Sequence, residues 1–176
     1  DFSPLASQTR LETLYLGGNP GTDYSALAGL AALQKLVVGG SGLDGVAAVD
    51  SLGFLDGLTL RELGLGLTVP KDGDWDPLTR QIALNTLQLW DPPEAALQPV
   101  NTLSGLKSLG IGDFFFEDLT MFSGLSSLEV LGIHKGALKS LEGIGSMQRL
   151  ITLSVGFSAV TDLSPLVGLD RLNYVQ

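Results

Sequence analysis

Apolar residues recur along this chain in one figure, L-x-x-L-x-Φ, where Φ is apolar. Anchored on the first Leu, copies begin at Leu11, Leu33, Leu60, Leu84, Leu106, Leu128, Leu150 and Leu172, at steps of 22, 27, 24, 22, 22, 22 and 22 residues. The second apolar position reads Leu14, Leu36, Leu63, Leu87, Leu109, Leu131, Leu153 and Val175. The third reads Leu16, Val38, Leu65, Leu89, Ile111, Ile133 and Val155. Six residues before most anchors stands another apolar residue: Leu5, Leu27, Leu78, Val100, Phe122, Ile144 or Leu166. Neither a helical period nor a heptad holds such a register, so the figure is a structural repeat.

Within each copy the L-x-L core alternates, which predicts a short strand with every second side chain inward. The rest of the repeat carries the chain back to the start of the next strand, so neighbouring strands run parallel. No repeat can bury its leucines alone, and stacking gives one continuous core. Eight strands at about 4.8 Å predict a sheet roughly 35–40 Å long. The linkers are short and often carry Pro or Gly. They predict single turns, short 3-10 pieces or short helices on the far side rather than long helices.

These columns resemble the leucine-rich-repeat family over the whole chain. The linkers Asp1–Leu5 (D-F-S-P-L), Asp118–Phe122 (D-L-T-M-F) and Asp162–Leu166 (D-L-S-P-L) are similar to the D-L-x-P-L linker of its 22-residue, internalin-like bacterial subclass. The resemblance implies a horseshoe solenoid of the α/β repeat type: one curved parallel sheet on the concave side, turns and short helical pieces on the convex side. It also implies Asn just after each strand, satisfying buried backbone groups in the turn. That column reads Asn19, Ser41, Thr68, Pro92, Phe114, Gly136 and Ser158. Only Asn19 matches, so an Asn ladder is expected to fail in the middle of the chain.

Two repeats are long. Leu33 to Leu60 carries extra residues within 42–59, where Ala47–Leu52 (A-A-V-D-S-L) is expected to extend into a short convex helix. Leu60 to Leu84 carries extra residues around Pro70–Asp76. Insertions in solenoids map to loops, which sometimes carry function. The chain starts at Asp1 without Met, at a linker, and stops at Gln176 inside the eighth strand motif. The whole of 1–176 therefore reads as one repeat domain, the last repeat truncated, from a longer protein with more chain beyond at least one end.

Composition narrows the function classes. Apolar residues make up 44% of the chain, too many for disorder, and no run of roughly 18 uncharged apolar residues suggests a membrane span. Net charge is −9 with scattered Lys and Arg. This excludes the concentrated basic face a nucleic-acid binder needs and favours a basic protein partner. Without cysteine there is no disulfide framework, thiolate metal site or Cys nucleophile. That fits a reducing cytoplasm and is also compatible with a bacterial cell surface.

Three stretches depart from the repeat. Asp72–Asp76 (D-G-D-W-D) spaces three carboxylates as calcium loops do. Pro77 and Ala83 replace the Gly and bidentate Glu of such a loop, so a solvated acidic turn is the better reading, with Trp75 inward. In Phe114–Phe116, Phe114 and Phe116 fall at core positions and Phe115 points out. The third is the concave face. Its middle column reads Tyr15, Val37, Gly64, Gln88, Gly110, Gly132 and Ser154, and the following one Gly17, Gly39, Gly66, Trp90, Gly112, His134 and Gly156. The next reads Gly18, Gly40, Leu67, Asp91, Asp113, Lys135 and Phe157. Glycine dominates, and Trp90 and His134 stand two strands apart, roughly 9–10 Å, with Gly112 between. They either frame a notch for an inserted side chain, rimmed by Asp91, Asp113 and Lys135, or simply cover glycine-thinned sheet. Tyr15, Gln88, Trp90, Asp91, Asp113, His134, Lys135 and Phe157 are the expected partner-binding set.

Catalysis is not expected. One His, no Cys, no nucleophile elbow and no phosphate-binding loop leave nothing to build on, and His134 lacks the further ligands a zinc site requires. No cofactor or metal is implied. Asp91 and Asp113 lie across neighbouring strands, but an open sheet does not exclude water from a carboxylate pair. The resemblance implies a non-catalytic module binding a protein through its concave face. Two alternatives remain: a sensor or autoinhibitory arm of a larger bacterial NACHT-type NTPase, and a bacterial surface adhesin or carbohydrate-binding protein.

Overall fold

A computed structural model of the chain describes residues 2–19, 21–39, 47–66 and 68–176. Eight strands form one parallel sheet: β1 (Thr13–Gly17), β2 (Lys35–Gly39), β4 (Glu62–Gly66), β6 (Thr86–Trp90), β7 (Ser108–Phe114), β8 (Val130–Gly136), β9 (Thr152–Ser154) and β10 (Tyr174–Val175), side by side in that order. The pairing aligns the second apolar column across the sheet, from Leu14 opposite Leu36 to Leu153 opposite Val175. That in-register stacking is what a repeat with one strand per copy must produce, because a one-residue slip would turn every leucine outward.

The return segments are short 3-10 turns at Ser3–Ser7, Ser25–Gly29, Gly53–Gly57, Asp76–Arg80, Thr120–Phe122, Ile144–Ser146 and Ser164–Leu166. The linker Asp sets up several of them. Asp23 accepts from the Ser25 N–H at 2.8 Å, Asp118 from the Thr120 N–H at 2.9 Å, and Asp162 from the Ser164 N–H at 2.8 Å. Each carboxylate closes a local turn and satisfies a donor at the head of the 3-10 piece. Asp74 does the same for Asp76 at 2.9 Å, and Asp72 accepts from the Asp74 N–H at 3.0 Å. The acidic D-G-D-W-D stretch is therefore turned onto its own backbone, with Trp75 in the core at 5% exposure.

The convex helix lies elsewhere than the sequence suggested. Ala47–Val49 is a strand, β3, paired in parallel with β5 (Thr68–Pro70). The two lengthened repeats thus meet in a small second sheet, joined by an N–H of Lys71 to the Val49 carbonyl at 2.9 Å and a Lys71–Asp50 ion pair at 2.5 Å. The six residues Ala47–Leu52 would make less than two turns of helix, which is costly to nucleate, whereas a neighbouring insertion offers backbone partners at once. Residues 42–46 of that stretch lie outside the described ones, as do Asp1, Gly40, Ser41 and Leu67. An α-helix forms instead at α1 (Glu94–Asn101), where Ala95, Ala96 and Leu97 favour it and Glu94 sits in its first turn. Ala96, Leu97, Pro99 and Val100 are buried.

The inward columns make one core from Leu16 to Leu169. Where the Asn column fails, other means close the turn. Asn19 donates to the Leu16 carbonyl at 3.0 Å, but Phe114 fills the core completely, and β7 and β8 extend so that Phe114 pairs with Gly136. Phe115 is exposed and Phe116 packs against the core, as the alternation requires. Two polar side chains tie repeats together from within. Gln81 is buried and donates to the Leu55 carbonyl at 2.8 Å; Asn101 accepts from the Gly124 N–H at 2.8 Å. The terminal repeats are thinly covered: Leu5, Leu11, Leu14, Leu166 and Leu172 are half-buried and Val175 is exposed, although its column is inward elsewhere.

Candidate functional site

Three residue columns project from the concave face of the sheet. One of them was not read from the sequence. It precedes the second leucine and includes Lys35, Glu62 and Thr86, which pair side by side across β2, β4 and β6. The alternation rule that picked out Tyr15 and Trp90 also points to this column.

The face is uneven. Across β1 to β6 the middle column runs Tyr15, Val37, Gly64, Gln88, and Trp90 stands in the following column of β6, so Tyr15 and Trp90 flank a low floor. A groove of about 260 Å³ lies there, lined among others by Tyr15, Val37, Gly64 and Trp90. Tyr15 is 61% exposed and Trp90 39%. At one end Lys35 pairs with Glu62 at 2.6 Å, and its ammonium lies 5.6 Å from the centre of the Tyr15 ring. Hydrogen bonding to Glu62, and then to Tyr15, pushes the Lys35 ammonium above its ordinary value. The groove thus carries its own neutralised cation at the Tyr15 end.

Trp90 and His134 both lie along glycine backbone. The Trp90 indole reaches from the Gly112 side, where its Cδ1 is 3.1 Å from where a Cβ would stand, to the Gly64 side, where its Cζ3 is 3.4 Å from the equivalent point. The Gln88 carboxamide occupies the space above Gly110. His134 places Nε2 3.3 Å from a Cβ position on Gly132 and Nδ1 3.7 Å from one on Gly156. Side chains from β6 and β8 therefore lie over Gly110, Gly112 and Gly132, and the depression opens on the other side of Trp90, towards Tyr15.

Asp91, Asp113, Lys135 and Phe157 are placed differently from the strand columns. All four have positive φ, at 49°, 54°, 63° and 60°. They sit at the lip where each repeat leaves the sheet, and the first repeat has Gly18 there at 73°. The turn demands a left-handed backbone, which Asp tolerates and Phe adopts only with strain. Phe157 is also 87% exposed. The eight candidate residues thus divide. Tyr15, Gln88 and Trp90 belong to or border the groove, His134 lies two strands beyond Trp90, and the other four form the lip. Among the described residues no cluster of His, Cys, Asp or Glu has the makings of a metal site, and no helix is long and apolar enough to cross a membrane.

No protein-family model matches the sequence, and no curated protein matches it. Solved structures do resemble it. Internalin C2 of Listeria monocytogenes superposes with a TM-score of 0.74 at 24% identity, covering 98% of this chain and 73% of its own. Internalin F of the same organism gives 0.60 at 20% identity, covering 100% of this chain and 64% of its own. Human 5T4 (trophoblast glycoprotein) gives 0.69 at 25% identity, covering 96% and 68%. These likenesses agree with the sheet order and the turns between strands: the chain has the fold of an internalin-like leucine-rich-repeat solenoid.

Proposed function

We propose that this chain is a non-catalytic protein-recognition module and that its concave face is the binding surface. The observation that carries the reading is the groove between Tyr15 and Trp90 on an otherwise glycine-thinned face. Large exposed aromatics beside bare backbone are costly to leave in water and are typical anchors of protein interfaces. The face is open to solvent throughout, which suits contact with a macromolecule and not the water exclusion that most chemistry at a carboxylate or imidazole needs. The net charge of −9 favours a basic partner.

A steric plug tests this. Gly132 has ordinary backbone, and a side chain there meets only the ring of His134, so Gly132→Arg places a bulky cation on the concave face two strands beyond Trp90 without disturbing the core. Ile82, 88% exposed and away from the sheet, supplies the control Ile82→Arg. Proteins retained from the source cells by wild type should be lost with Gly132→Arg and Tyr15→Arg and kept with Ile82→Arg. Equal retention by all four places the binding surface elsewhere.

A further inference from the structure

We infer that the groove seats one neutral aromatic side chain of the protein partner, set over Val37 with the Tyr15 and Trp90 rings on either side. The inference rests on the concave-face reading and names the anchor that face selects.

The size of the groove points to a single residue. Its volume is about 260 Å³, below the roughly 300–1,000 Å³ of a site built around a whole small molecule. That space suits one bulky side chain presented by a larger surface.

Charge makes the residue neutral. Lys35 and Glu62 are the charged residues lining the groove, and they hold each other at 2.6 Å. An anionic occupant would have to draw Lys35 away from Glu62. A cationic one would have to draw Glu62 away from Lys35. Either exchange leaves one of the two without its countercharge beside apolar surface, which is costly. The Lys35 ammonium also lies over the Tyr15 ring, so the cation place there is taken. A neutral side chain enters with the pair intact. The basic character that the net charge favours in the partner then belongs to the residues around this anchor, where the field of the whole chain acts.

Shape makes it aromatic. Tyr15, Val37 and Gly64 stand side by side on β1, β2 and β4. A Cβ point on Gly64 lies 3.2 Å from both Val37 methyls and 3.4 Å from Cζ3 of Trp90. Hydrocarbon from the floor and from the far wall therefore meets over β4. A ring set over Val37 has one strand spacing, about 4.8 Å, to the strand of Tyr15 on one side and to the strand reached by the Trp90 ring edge on the other. Aromatic pairs favour centroid separations of about 4.5–7 Å, offset or edge-on. An aliphatic side chain seated there gains no ring–ring contact on either side.

The probes are the N-acetyl amides of phenylalanine, leucine, glutamate and lysine, titrated into the isotope-labelled chain and followed by its amide and indole N–H resonances. The chain has two tryptophans, and Trp75 is buried in the core, so the two indole signals serve as site and control. The phenylalanine derivative should saturate with a Kd of about 1 mM. It should move the Trp90 indole and the Gly64 amide and leave the Trp75 indole in place. The leucine derivative should bind at least about threefold more weakly, and the two charged ones at least about tenfold. Tyr15→Ala and Trp90→Ala should each weaken the phenylalanine derivative about fivefold, with the spread of amide signals showing that each variant is folded. Glu62→Gln leaves Lys35 uncompensated and should bring the glutamate derivative to within about threefold of phenylalanine. Leucine or a charged derivative binding as tightly as phenylalanine overturns the assignment, as does unchanged affinity in Tyr15→Ala and Trp90→Ala or continued exclusion of glutamate by Glu62→Gln. So does a Trp90 indole that stays still at about 20 mM, well above the expected Kd. If the probes fail while Gly132→Arg and Tyr15→Arg still abolish partner retention, the aromatic seat falls and the concave-face reading stands. If those two variants have no effect either, both fall.

Discussion

Gly136 offers a test of how tightly adjacent repeats are bound. It sits at φ 114°, and a Cβ there would overlap the Phe114 carbonyl oxygen and stand 2.6 Å from its carbon. That carbonyl accepts the Ala137 N–H at 2.8 Å, and the Phe114 ring is fully buried. Gly136→Ala must therefore part β7 from β8 at their last pair. Losing the hydrogen bond costs about 1 kcal/mol, shifting Phe114 partly out of its site about 1–2 kcal/mol, and holding Ala at that φ about 1–2 kcal/mol. The sum is about 3–5 kcal/mol. Two companions separate the causes. Gly168 also has positive φ, 89°, with nothing within 4 Å of an added Cβ, so Gly168→Ala should cost only the backbone strain, about 1–2 kcal/mol. Gly145 has ordinary φ and open space, so Gly145→Ala should be neutral or stabilising by about 0.4–1 kcal/mol. The assay is urea unfolding followed by circular dichroism and by the fluorescence of buried Trp75, since coincident curves license a two-state treatment. Gly136→Ala falling within 1 kcal/mol of Gly168→Ala would refute the steric argument (the comparison needs only about that precision).

Two further predictions follow from the linkers and the lip. Hydrogen bonds from Thr120 hold the Asp118 carboxyl below its usual value, and those from Ser164 do the same for Asp162. A depressed folded-state pKa contributes stability that is complete above the unfolded value and lost as pH falls through the folded one. Stability should therefore drop below about pH 4, and Asp118→Asn with Asp162→Asn, which keep an acceptor but cannot titrate, should flatten that acid limb in pH-dependent thermal melts. Phe157 combines φ 60° with 87% exposure, so Phe157→Asn gives up little burial and relieves strain. It should stabilise the fold by about 0.5–1 kcal/mol in the same urea assay; a loss of stability would mean that the ring packs against something that matters.

Much of the fold is legible in the sequence because the repeat states one local rule many times. Leu36, Leu63 and Leu87 need no tertiary information to be placed inward; alternation within a strand and equal steps between strands suffice. The same rule put Tyr15, Trp90 and His134 outward, Trp75 inward and Phe115 in solvent. It also held the key to Lys35 and Glu62, whose column was passed over although alternation exposes it. Insertions obey no such rule. Ala47–Val49 became a strand because a second insertion, Thr68–Pro70, happens to lie beside it, and that adjacency exists only once the repeats are stacked.

The sequence by itself determined the solenoid: the strand positions, the parallel order, the core columns and the glycine-poor places on the concave face. The tertiary structure alone decided where that face is hollow. A glycine in the sequence says that a side chain is missing, but not which neighbour leans into the space. Gln88 leans over Gly110 and Trp90 spans from Gly112 to Gly64, so those glycines lie beneath or beside side chains, and the hollow is what is left between Tyr15 and the Trp90 ring, floored by Val37 and Gly64. Side-chain direction across strands depends on the packing of every neighbouring column, which is why the columns could be read from the chain and the groove could not.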